Sequence, residues 1–170
     1  MKDIKGRTIS KIWLAEFRGF FFGDGYLGVV ANGKNRKGKV YYSCRAQITI
    51  RDDDIKMLKD IKSKLGGLLH TEQRGKISKK DGKVSISRPY SVWRATGKKE
   101  VSVVCDILDM SVMPSKKIKE VIEMRKYLNT IGAVGHGPLN NKKKIASYKR
   151  TLEKRDKIAL ELKRLHSYNK

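Results

Sequence analysis

Residues Trp13 to Gly25 read W-L-A-E-F-R-G-F-F-F-G-D-G, and this stretch decides the fold of the chain. Ala15, Gly19 and Gly23 recur every four residues, which places three small side chains in one row on a helix. Each glycine inside a helix destabilises it by roughly 1 kcal/mol relative to alanine. We therefore expect a second helix to pack closely along this row and to offset that cost.

The row ends beside an isolated acid. Asp24 is the only acidic residue between Glu16 and Asp52, and it stands where the helix must stop before Gly25. A helix that delivers one carboxylate to its carboxyl-terminal tip is unusual for a plain core helix. Asp24 is therefore the first candidate for a functional side chain.

The charge balance of the 170-residue chain favours a polyanionic partner. Forty Lys and Arg residues oppose 17 Asp and Glu residues, which gives a formal net charge of +23. A compact domain with that charge repels itself unless a polyanion lies beside it, and nucleic acid is the first candidate. An anionic membrane surface or a ribosomal site is the second.

Several other classes of protein do not fit this sequence. No apolar run approaches the roughly 20 residues that span a bilayer, and the first residues lack the apolar core of a signal peptide. Cys44 and Cys105 are far apart and form no C-x-x-C motif, and the three histidines are scattered. We expect an intracellular protein, in a prokaryotic cytoplasm or an organelle, that is not secreted and has no small-molecule substrate.

A first helix-strand-strand repeat follows from hydrophobic periodicity. Residues 26–31 read as a strand and residues 32–38 as a basic turn. Residues 39–51 are the clearest strand, because apolar residues at positions 44–50 alternate with hydrogen-bonding and basic residues. The polar face of this strand contains no acid, which favours contact with a polyanion.

A second helix-strand-strand repeat comes next. The run Asp52-Asp53-Asp54 precedes a helix, and we interpret it as a cap that complements the helix dipole rather than as a metal cluster. Gly66-Gly67 ends that helix. Strands near residues 68–74 and 84–96 then form a hairpin around the lysine-rich turn 75–83.

Two further helices and a charged tail complete the predicted fold. Thr96-Gly97 caps one helix, and Ser115 caps the next, whose apolar stripe comprises residues Ile118, Val121, Ile122 and Met124. The predicted class is α+β, with an α-β-β-α-β-β-α core in which helices cover one face of a four-stranded antiparallel sheet. We expect this core over residues 1–130, a linker over 131–141, and a basic carboxyl-terminal helix over 142–170 packed on or beside it.

The end of the glycine-rich helix resembles the signature motif of the LAGLIDADG homing endonucleases. The nine residues F-R-G-F-F-F-G-D-G overlie that motif, with Gly19 at its first glycine and Gly23 at its small position before the acid. Asp24 and Gly25 match the closing acid–glycine pair. The predicted order of elements over roughly residues 10–130 is also the order of this family.

The resemblance implies a site-specific DNase that makes double-strand breaks with Mg²⁺ (or Mn²⁺) and acts in intron homing. Family members with one motif act as homodimers, and this chain offers one motif. The expected dimer interface is therefore the helix from Trp13 to Asp24. The alternative is that the small-residue row packs inside one chain. The residues expected at the interface are Ala15, Gly19, Phe20 and Gly23.

The resemblance also implies an active site. Asp24 is the expected catalytic metal ligand, and the Gly23 carbonyl is a second ligand that suits the oxygen preference of Mg²⁺. Lys116, with Lys117 adjacent, and Arg51 are the further catalytic candidates. The alternatives are that Asp24 is only the acid of a G-D-G turn and that Lys116 is one more of many basic surface residues.

One sheet face is the predicted surface for double-stranded DNA. Arg pairs with guanine, and Gln or Asn with adenine, in the major groove, whereas lysine-rich turns hold phosphates. A solvated polar face is the alternative, but acids are too few there to favour it. The predicted DNA contacts are Tyr26, Asn32, Lys34, Arg36, Lys37, Lys39, Tyr41, Ser43, Arg45, Gln47, Thr49, Arg74, Lys76, Arg88, Tyr90 and Arg94.

These features bear on three possible functions. The leading hypothesis is a homodimeric, metal-dependent homing endonuclease that reads a long pseudo-palindromic site. The second is a catalytically inactive DNA-binding regulator, or an RNA-splicing maturase, on the same fold. The third is a ribosomal or other structural basic protein, which fits the charge but explains neither the glycine row nor the isolated acid.

Overall fold

The fold alternates helices with pairs of strands, as the sequence predicts. The computed structural model describes residues 1–34, 40–51, 54–72, 77–80, 83–86, 89–110, 112–132 and 142–167. The helices of these segments are α1 (Lys11–Asp24), α2 (Ile55–Leu65), α3 (Lys98–Leu108), α4 (Ser115–Leu128) and α5 (Lys142–Ser167). The strands are β1 (Gly25–Lys34), β2 (Val40–Arg51), β3 (Leu68–Glu72), β4 (Ile77–Lys80), β5 (Lys83–Ile86) and β6 (Tyr90–Ala95).

Four strands form one antiparallel sheet in the order β1-β2-β6-β3. In the register of this sheet, Arg94 of β6 lies between Gln47 of β2 and Leu68 of β3. The α+β class and the four-stranded antiparallel sheet are therefore confirmed. The boundaries predicted for the core, linker and tail stay a prediction.

The lysine-rich segment between β3 and β6 differs from its prediction as a turn. Strands β4 and β5 pair with each other as a separate two-stranded sheet, with Ile77 opposite Ile86. Apolar residues at alternate positions favour these strands, but the many lysines around them read as a loop. Strand β6 begins at Tyr90, directly after Pro89, because a proline has no N–H for a sheet ladder.

The first strand is also longer than predicted. Strand β1 runs to Lys34 and takes in the start of the segment predicted as a basic turn. The rest of that turn lies outside the described residues. None of the helices described has both the length and the apolar character that a membrane crossing requires.

The chain divides into two compact units. The first unit comprises Met1–Tyr26 and Ala46–Ala95, and the second comprises Leu27–Arg45 and Thr96–Lys170. The division falls within β1 and within β2, so each of these strands contributes residues to both units.

An aromatic core holds the first unit together. Phe17 of α1 is fully buried, and its ring meets the Trp93 ring edge to face with 6.2 Å between centroids. The Trp93 indole N–H donates to the Gly66 carbonyl at 2.8 Å, which ties β6 to the end of α2. Ser10 caps α1, as predicted, because its hydroxyl accepts from the Trp13 N–H at 3.2 Å.

Helices α4 and α5 pack together in the second unit. The apolar contacts of α5 come from its carboxyl-terminal half, where Ile158, Leu162 and Leu165 are buried. The Tyr127 hydroxyl of α4 donates to the Tyr42 carbonyl of β2 at 2.8 Å. Burial raises the pKa of this phenol to about 12, so it stays a hydrogen-bond donor.

The apolar stripe predicted for α4 is only partly right. Val121 and Met124 are buried as expected, but Ile118 and Ile122 are 39% and 48% exposed. Glu120 is buried instead, so the core-facing side of the helix includes this position as well as Val121 and Met124. A charged residue can occupy a core position only when partners compensate its charge, and sequence periodicity does not reveal such partners.

Candidate active site and nucleic-acid interface

Asp24 is the last residue of α1, and its side chain is exposed. Gly25 follows it, and the Gly25 N–H donates to the Phe21 carbonyl to close the helix. A Cβ at position 25 would lie 2.3 Å from the Phe21 carbonyl oxygen, so only glycine fits there. The acid–glycine pair therefore sets where the helix ends and which side chain it leaves at its tip.

Asp24 lies at the wall of a cleft of about 600 Å³ in the first unit. The cleft lies where α1 and β2 end and where α2 and β6 begin. Arg51 shares this cleft, so two of the three residues predicted as catalytic occur together. The lining residues are Phe20, Asp24, Thr49, Ile50, Arg51, Asp54, Pro89 and Tyr90.

A second carboxylate in this cleft was assigned to another role from the sequence. Asp54 occupies the N-cap position of α2, but its side chain makes no capping hydrogen bond. It lines the cleft with Asp24 instead. Asp54 therefore occupies the predicted cap position without a capping side-chain hydrogen bond, while Asp52 and Asp53 lie outside the described residues. The usual preference of aspartate for N-cap positions concealed this alternative.

The carboxylates of the cleft fit a hard divalent cation. In the described part of the chain, no group of three or more His, Cys, Asp or Glu side chains is arranged to hold a metal. Mg²⁺ often binds through one or two carboxylates, and waters and substrate phosphates complete its coordination. Asp24 and Asp54 both line the cleft and match this ligand number, but they do not form a fully protein-enclosed site.

The small-residue row of α1 is uncovered. Ala15, Gly19 and Gly23 are exposed, and a Cβ built on either glycine would meet no described atom within 4 Å beyond its chain neighbours and the nearby backbone of α1. Ile12 and Phe20 fall on the same helix face and are 74% and 38% exposed. No described segment of the chain supplies the partner helix that the row predicts.

The polar face of the first unit contains a short hydrogen-bonded series. The Arg94 Nε–H donates to Gln47 Oε1 at 2.9 Å, and the Gln47 amide donates to Thr49 Oγ1 at 3.1 Å. These three predicted DNA contacts therefore lie on one face, in a fixed mutual orientation. Tyr90 is opposite Arg51 in the same sheet.

The remaining described contacts of the predicted interface lie in the second unit, except Tyr26. The Ser43 hydroxyl donates to Asn32 Oδ1 at 3.2 Å, which joins β1 to β2. Tyr41 is 49% exposed, and the buried Nε–H of Arg45 has no hydrogen-bond acceptor among the described residues. Tyr26, which begins the polar series on β1, belongs to the first unit and is half-buried.

Most of the predicted contacts in and beside the basic turns lie outside the described residues. Only the backbone of Lys34 is described. The other predicted contacts that fall outside the described residues are Arg36, Lys37, Lys39, Arg74, Lys76 and Arg88.

Lys116 lies in the second unit, in the first turn of α4. It lines a cleft of about 280 Å³ together with Lys119 and Arg164. The neighbouring Lys117 is committed elsewhere, because its ammonium lies 3.0 Å from the Glu120 carboxylate. Lys116 is therefore the one of the two adjacent lysines that borders an open basic cleft.

Glu120 of α4 is fully buried, and its carboxylate lies beside basic side chains of both α4 and α5. Besides Lys117, the carboxylate has His166 of α5 at 3.5 Å from its other oxygen. Burial opposes ionisation of this carboxyl, but the contacts with His166 and Lys117 hold its pKa below the ordinary value. The buried charge is thus compensated by one cation from each helix when His166 is protonated.

Comparisons with known proteins agree with this architecture. A family model described as LAGLIDADG endonuclease matches residues 17–128. The fold is similar to the homing endonuclease I-TnaI, with a TM-score of 0.61 and 19% identity over 89% of this chain and 94% of that chain. No protein of curated function is similar enough in sequence to match the chain.

Two DNA-bound structures are also similar to this chain. The group I intron-encoded homing endonuclease I-CeuI complexed with DNA has a TM-score of 0.59 and 15% identity, over 89% of this chain and 68% of that chain. The meganuclease I-SmaMI bound to uncleaveable DNA has a TM-score of 0.59 and 21% identity. That match covers 88% of this chain but only 44% of the I-SmaMI chain. At these identities the likeness establishes the fold.

Proposed function

The chain belongs to the LAGLIDADG endonuclease family, whose model matches most of its length, and from this premise we propose that it is a site-specific homing endonuclease. It makes a double-strand break in a long pseudo-palindromic DNA target and uses a divalent metal, Mg²⁺ or Mn²⁺. The observation that carries the proposal is the exposed carboxylate of Asp24, at the tip of α1, in one cleft with Asp54 and Arg51.

The metal is proposed to bind at Asp24. The Gly23 carbonyl belongs to the last turn of α1, where backbone carbonyls lack helical partners and the helix dipole favours a cation. Asp54 supplies a second carboxylate in the same cleft. A divalent ion bound there would neutralise charge on the oxygens of the scissile phosphodiester.

Two basic residues are proposed to act on the phosphate. The Arg51 guanidinium, in the same cleft, can hold two phosphate oxygens through parallel N–H donors. Lys116 is assigned by its match to the family's lysine, and its ammonium would stabilise negative charge that develops on the phosphate oxygens. Neither residue needs to lose a proton for these roles.

A homodimer formed through α1 provides a second active site, which cuts the second DNA strand. The uncovered row of Ala15, Gly19 and Gly23, with Phe20 beside it, suits the same row of a second copy in a two-fold interface. Such an interface would bring two Asp24 tips close together, one for each DNA strand. Since the chain covers 44% of I-SmaMI, two copies correspond to about its length, which also supports the dimer.

Two-fold symmetry has a consequence for the target. A symmetric dimer presents the same polar sheet face to each half of its site, so the two halves are expected to be related sequences. Arg94 and Arg45 are the proposed readers of guanine, and Asn32 and Gln47 the proposed readers of adenine. The lysines of the basic turns would hold the flanking phosphates.

The decisive test uses the DNA into which the gene for this chain would insert its host intron. We expect the purified protein to cut a duplex carrying the uninterrupted junction in the presence of Mg²⁺ or Mn²⁺. Asp24→Asn should bind that duplex with unchanged affinity and leave it intact. Undamaged DNA with the wild-type protein, or equal cutting by Asp24→Asn, would refute the proposal.

A matched variant separates the site from general charge effects. Asp106→Asn removes one exposed carboxylate of α3, away from the α1 row, at a position that does not line the cleft, and it should cut at the wild-type rate. A catalytically inactive regulator or an RNA-splicing maturase would instead bind nucleic acid tightly and be indifferent to Asp24 substitution.

A further inference from the structure

Helix α5 distributes its charge unevenly along its length. Residues 142–152, which we name the α5 arm, contain five Lys and Arg residues and no acid. Residues 153–167 contain both signs. The first turn of the arm is Lys142, Lys143 and Lys144, and no acidic residue accompanies them.

This arrangement is unfavourable for the isolated protein. The amino-terminal end of a helix carries a partial positive charge, so cations there are opposed by the helix dipole. Adjacent lysines also repel one another. Acidic residues are the usual occupants of a first helical turn, and their absence here leaves both repulsions uncompensated within the helix. A bound polyanion would relieve both repulsions.

The arm is held in place by the rest of its helix. The buried residues of α5 begin at Ile158, beyond the arm. Between the two parts, the Arg155 guanidinium donates to the Thr130 hydroxyl at 2.9 Å and to its carbonyl at 2.7 Å. The fully buried anchor of the helix is therefore in its second half, and the arm continues from that anchor as the same α-helix.

The charged side chains of the arm are directed to solvent. Lys142, Lys144 and Arg150 are exposed, and none of them forms an ion pair with another described residue. Exposed cations without acidic neighbours are what a phosphate-binding surface requires.

Within the second unit the arm lies beside the first residues of β2. Lys149 and Leu152 line a cleft of about 460 Å³ together with Val40 and Tyr42. Tyr41, a proposed DNA contact, comes from this same stretch of β2. The arm therefore adjoins the end of β2 on the face that carries Val40 and Tyr42, and Tyr41 points to the opposite, polar face of the same strand.

We propose that the α5 arm is a second DNA-binding surface, which holds backbone phosphates of duplex DNA outside the bases read by the sheet. The identity of the nucleic acid rests on the proposed function. At about 1.5 Å per residue the arm is roughly 16 Å long, close to half a turn of duplex DNA. Lysines act there as point charges, so the contact adds affinity without sequence preference.

The salt dependence of binding tests the proposal directly. The arm variant Lys142→Gln/Lys144→Gln/Arg150→Gln is compared with the matched control Lys154→Gln/Lys157→Gln/Lys163→Gln, which removes the same charge from exposed positions beyond the arm. The probe is a random-sequence duplex of about six helical turns, titrated with the full chain across a range of NaCl concentrations.

Each lost phosphate contact reduces the slope of log K against log salt by about 0.9. We expect the arm variant to lose up to about 2.7 from the slope and the control to keep the wild-type slope. Equal loss in both variants, or no loss in either, would overturn the proposal. Tighter binding of single-stranded RNA through the same three residues would overturn the assignment to duplex DNA.

A positional measurement complements the salt titration. The native thiols are buried, and burial raises the pKa of Cys105 to about 12 and also raises that of Cys44, so an iron chelate can be attached selectively at Lys144→Cys. With the junction duplex, hydroxyl radicals from this position should cut outside the region that the sheet protects.

The same chelate at Lys157→Cys should cut little, and equal cutting from the two positions would overturn the proposal. The random-duplex titration requires no cleavage by the protein. The proposed nuclease activity can therefore fail, through indifference to Asp24 substitution, while the arm still binds DNA. Conversely, the arm can fail while cutting persists.

Discussion

Helices α1 and α5 each leave one face uncovered in the described part of the chain, yet the two faces differ in chemistry. The row on α1 consists of small, uncharged residues, with Gly19 and Gly23 opening the backbone itself to contact. The face of the α5 arm is cationic, with Lys142 and Lys144 among its exposed side chains. An uncharged backbone face suits another helix, whereas a cationic face suits a polyanion. Exposure alone therefore identifies no partner, and the chemistry of the exposed face does.

The largest expected effect is a difference in unfolding free energy between variants on the buried face and on the exposed face of α1. Phe17→Ala should lower the free energy of unfolding by about 3–5 kcal/mol, because Phe17 is fully buried against Trp93. Phe20→Ala removes an equal side chain from the 38% exposed position and should change stability by less than about 1 kcal/mol. Urea unfolding at low protein concentration measures both. A Phe20 effect as large as that of Phe17 would show that the open face is part of the core.

The next effect concerns assembly rather than folding. Gly19→Leu places a bulky side chain where the row is proposed to meet its copy, and overpacking costs about 1–3 kcal/mol per site. With two copies affected, the dimer dissociation constant should rise roughly 100-fold. The melting temperature of the monomer should not fall and should rise by about 2–4 °C, because leucine is a better helix former than glycine and position 19 is open. Analytical ultracentrifugation measures the first quantity and calorimetry the second.

Ala146→Leu is the control for Gly19→Leu, since it adds bulk to an exposed position of α5. It should leave the association unchanged. If Gly19→Leu still forms dimers at the same protein concentration as the wild type, the small-residue row of α1 is not the dimer interface. The contrast between the exposed faces of α1 and α5 would then be wrong.

A smaller effect tests how α5 is anchored. Glu120→Gln removes the buried charge that binds Lys117 and His166 and should lower stability at pH 7 by about 1.5–3 kcal/mol. Glu161→Gln, which removes an exposed ion pair on α5, should lower it by less than about 1 kcal/mol. Equal losses of stability in the two variants would show that the buried carboxylate contributes no more than the exposed one.

The Glu120 effect depends on pH in a defined direction. The folded-state pKa of this carboxyl lies below its ordinary value of 4.5, so its contribution is fully present above pH 4.5. The contribution is lost as pH falls through the folded-state pKa. The stability difference between wild type and Glu120→Gln should therefore shrink on acidification, as denaturant titrations at several pH values can measure. A difference that grows below pH 4.5 would contradict the assignment.

The smallest expected effect lies at the boundary of the α5 arm. Arg155→Lys keeps the charge but loses the paired donation to Thr130, at a cost of about 1 kcal/mol. Amide hydrogen exchange should then quicken in the arm. Arg150→Lys, at an exposed position within the arm, should leave exchange unchanged. If both variants behave alike, Arg155 does not anchor the arm.

The sequence predicts the parts of the fold that local residue patterns determine. The buried parity of β2 and the Ser10 cap follow from residues within a few positions of one another, and both occur as predicted. The buried side of α4 does not follow from a local pattern. The burial of Glu120 depends on basic residues of α4 and α5, and a hydrophobic pattern does not include them. The two-stranded sheet around Ile77 was missed because its lysines resemble a loop.

The residues of the candidate site also differ in whether the sequence identifies them. Asp24 was identified from its isolation and its motif, and Arg51 from the resemblance alone, yet the two share one cleft. Asp54 was assigned as a cap because aspartate is common at that position. Only the three-dimensional arrangement reveals that its side chain makes no capping bond and borders the cleft.

The crowding at Gly25 has a genetic consequence. A glycine codon changes by one nucleotide only to residues that carry a Cβ, and any Cβ at this position would meet the Phe21 carbonyl oxygen at 2.3 Å. Every missense mutation at this codon should therefore displace the end of α1 and, with it, the neighbouring carboxylate. We expect random mutagenesis of the gene to yield inactive alleles at this codon that leave every polar group of the cleft unaltered.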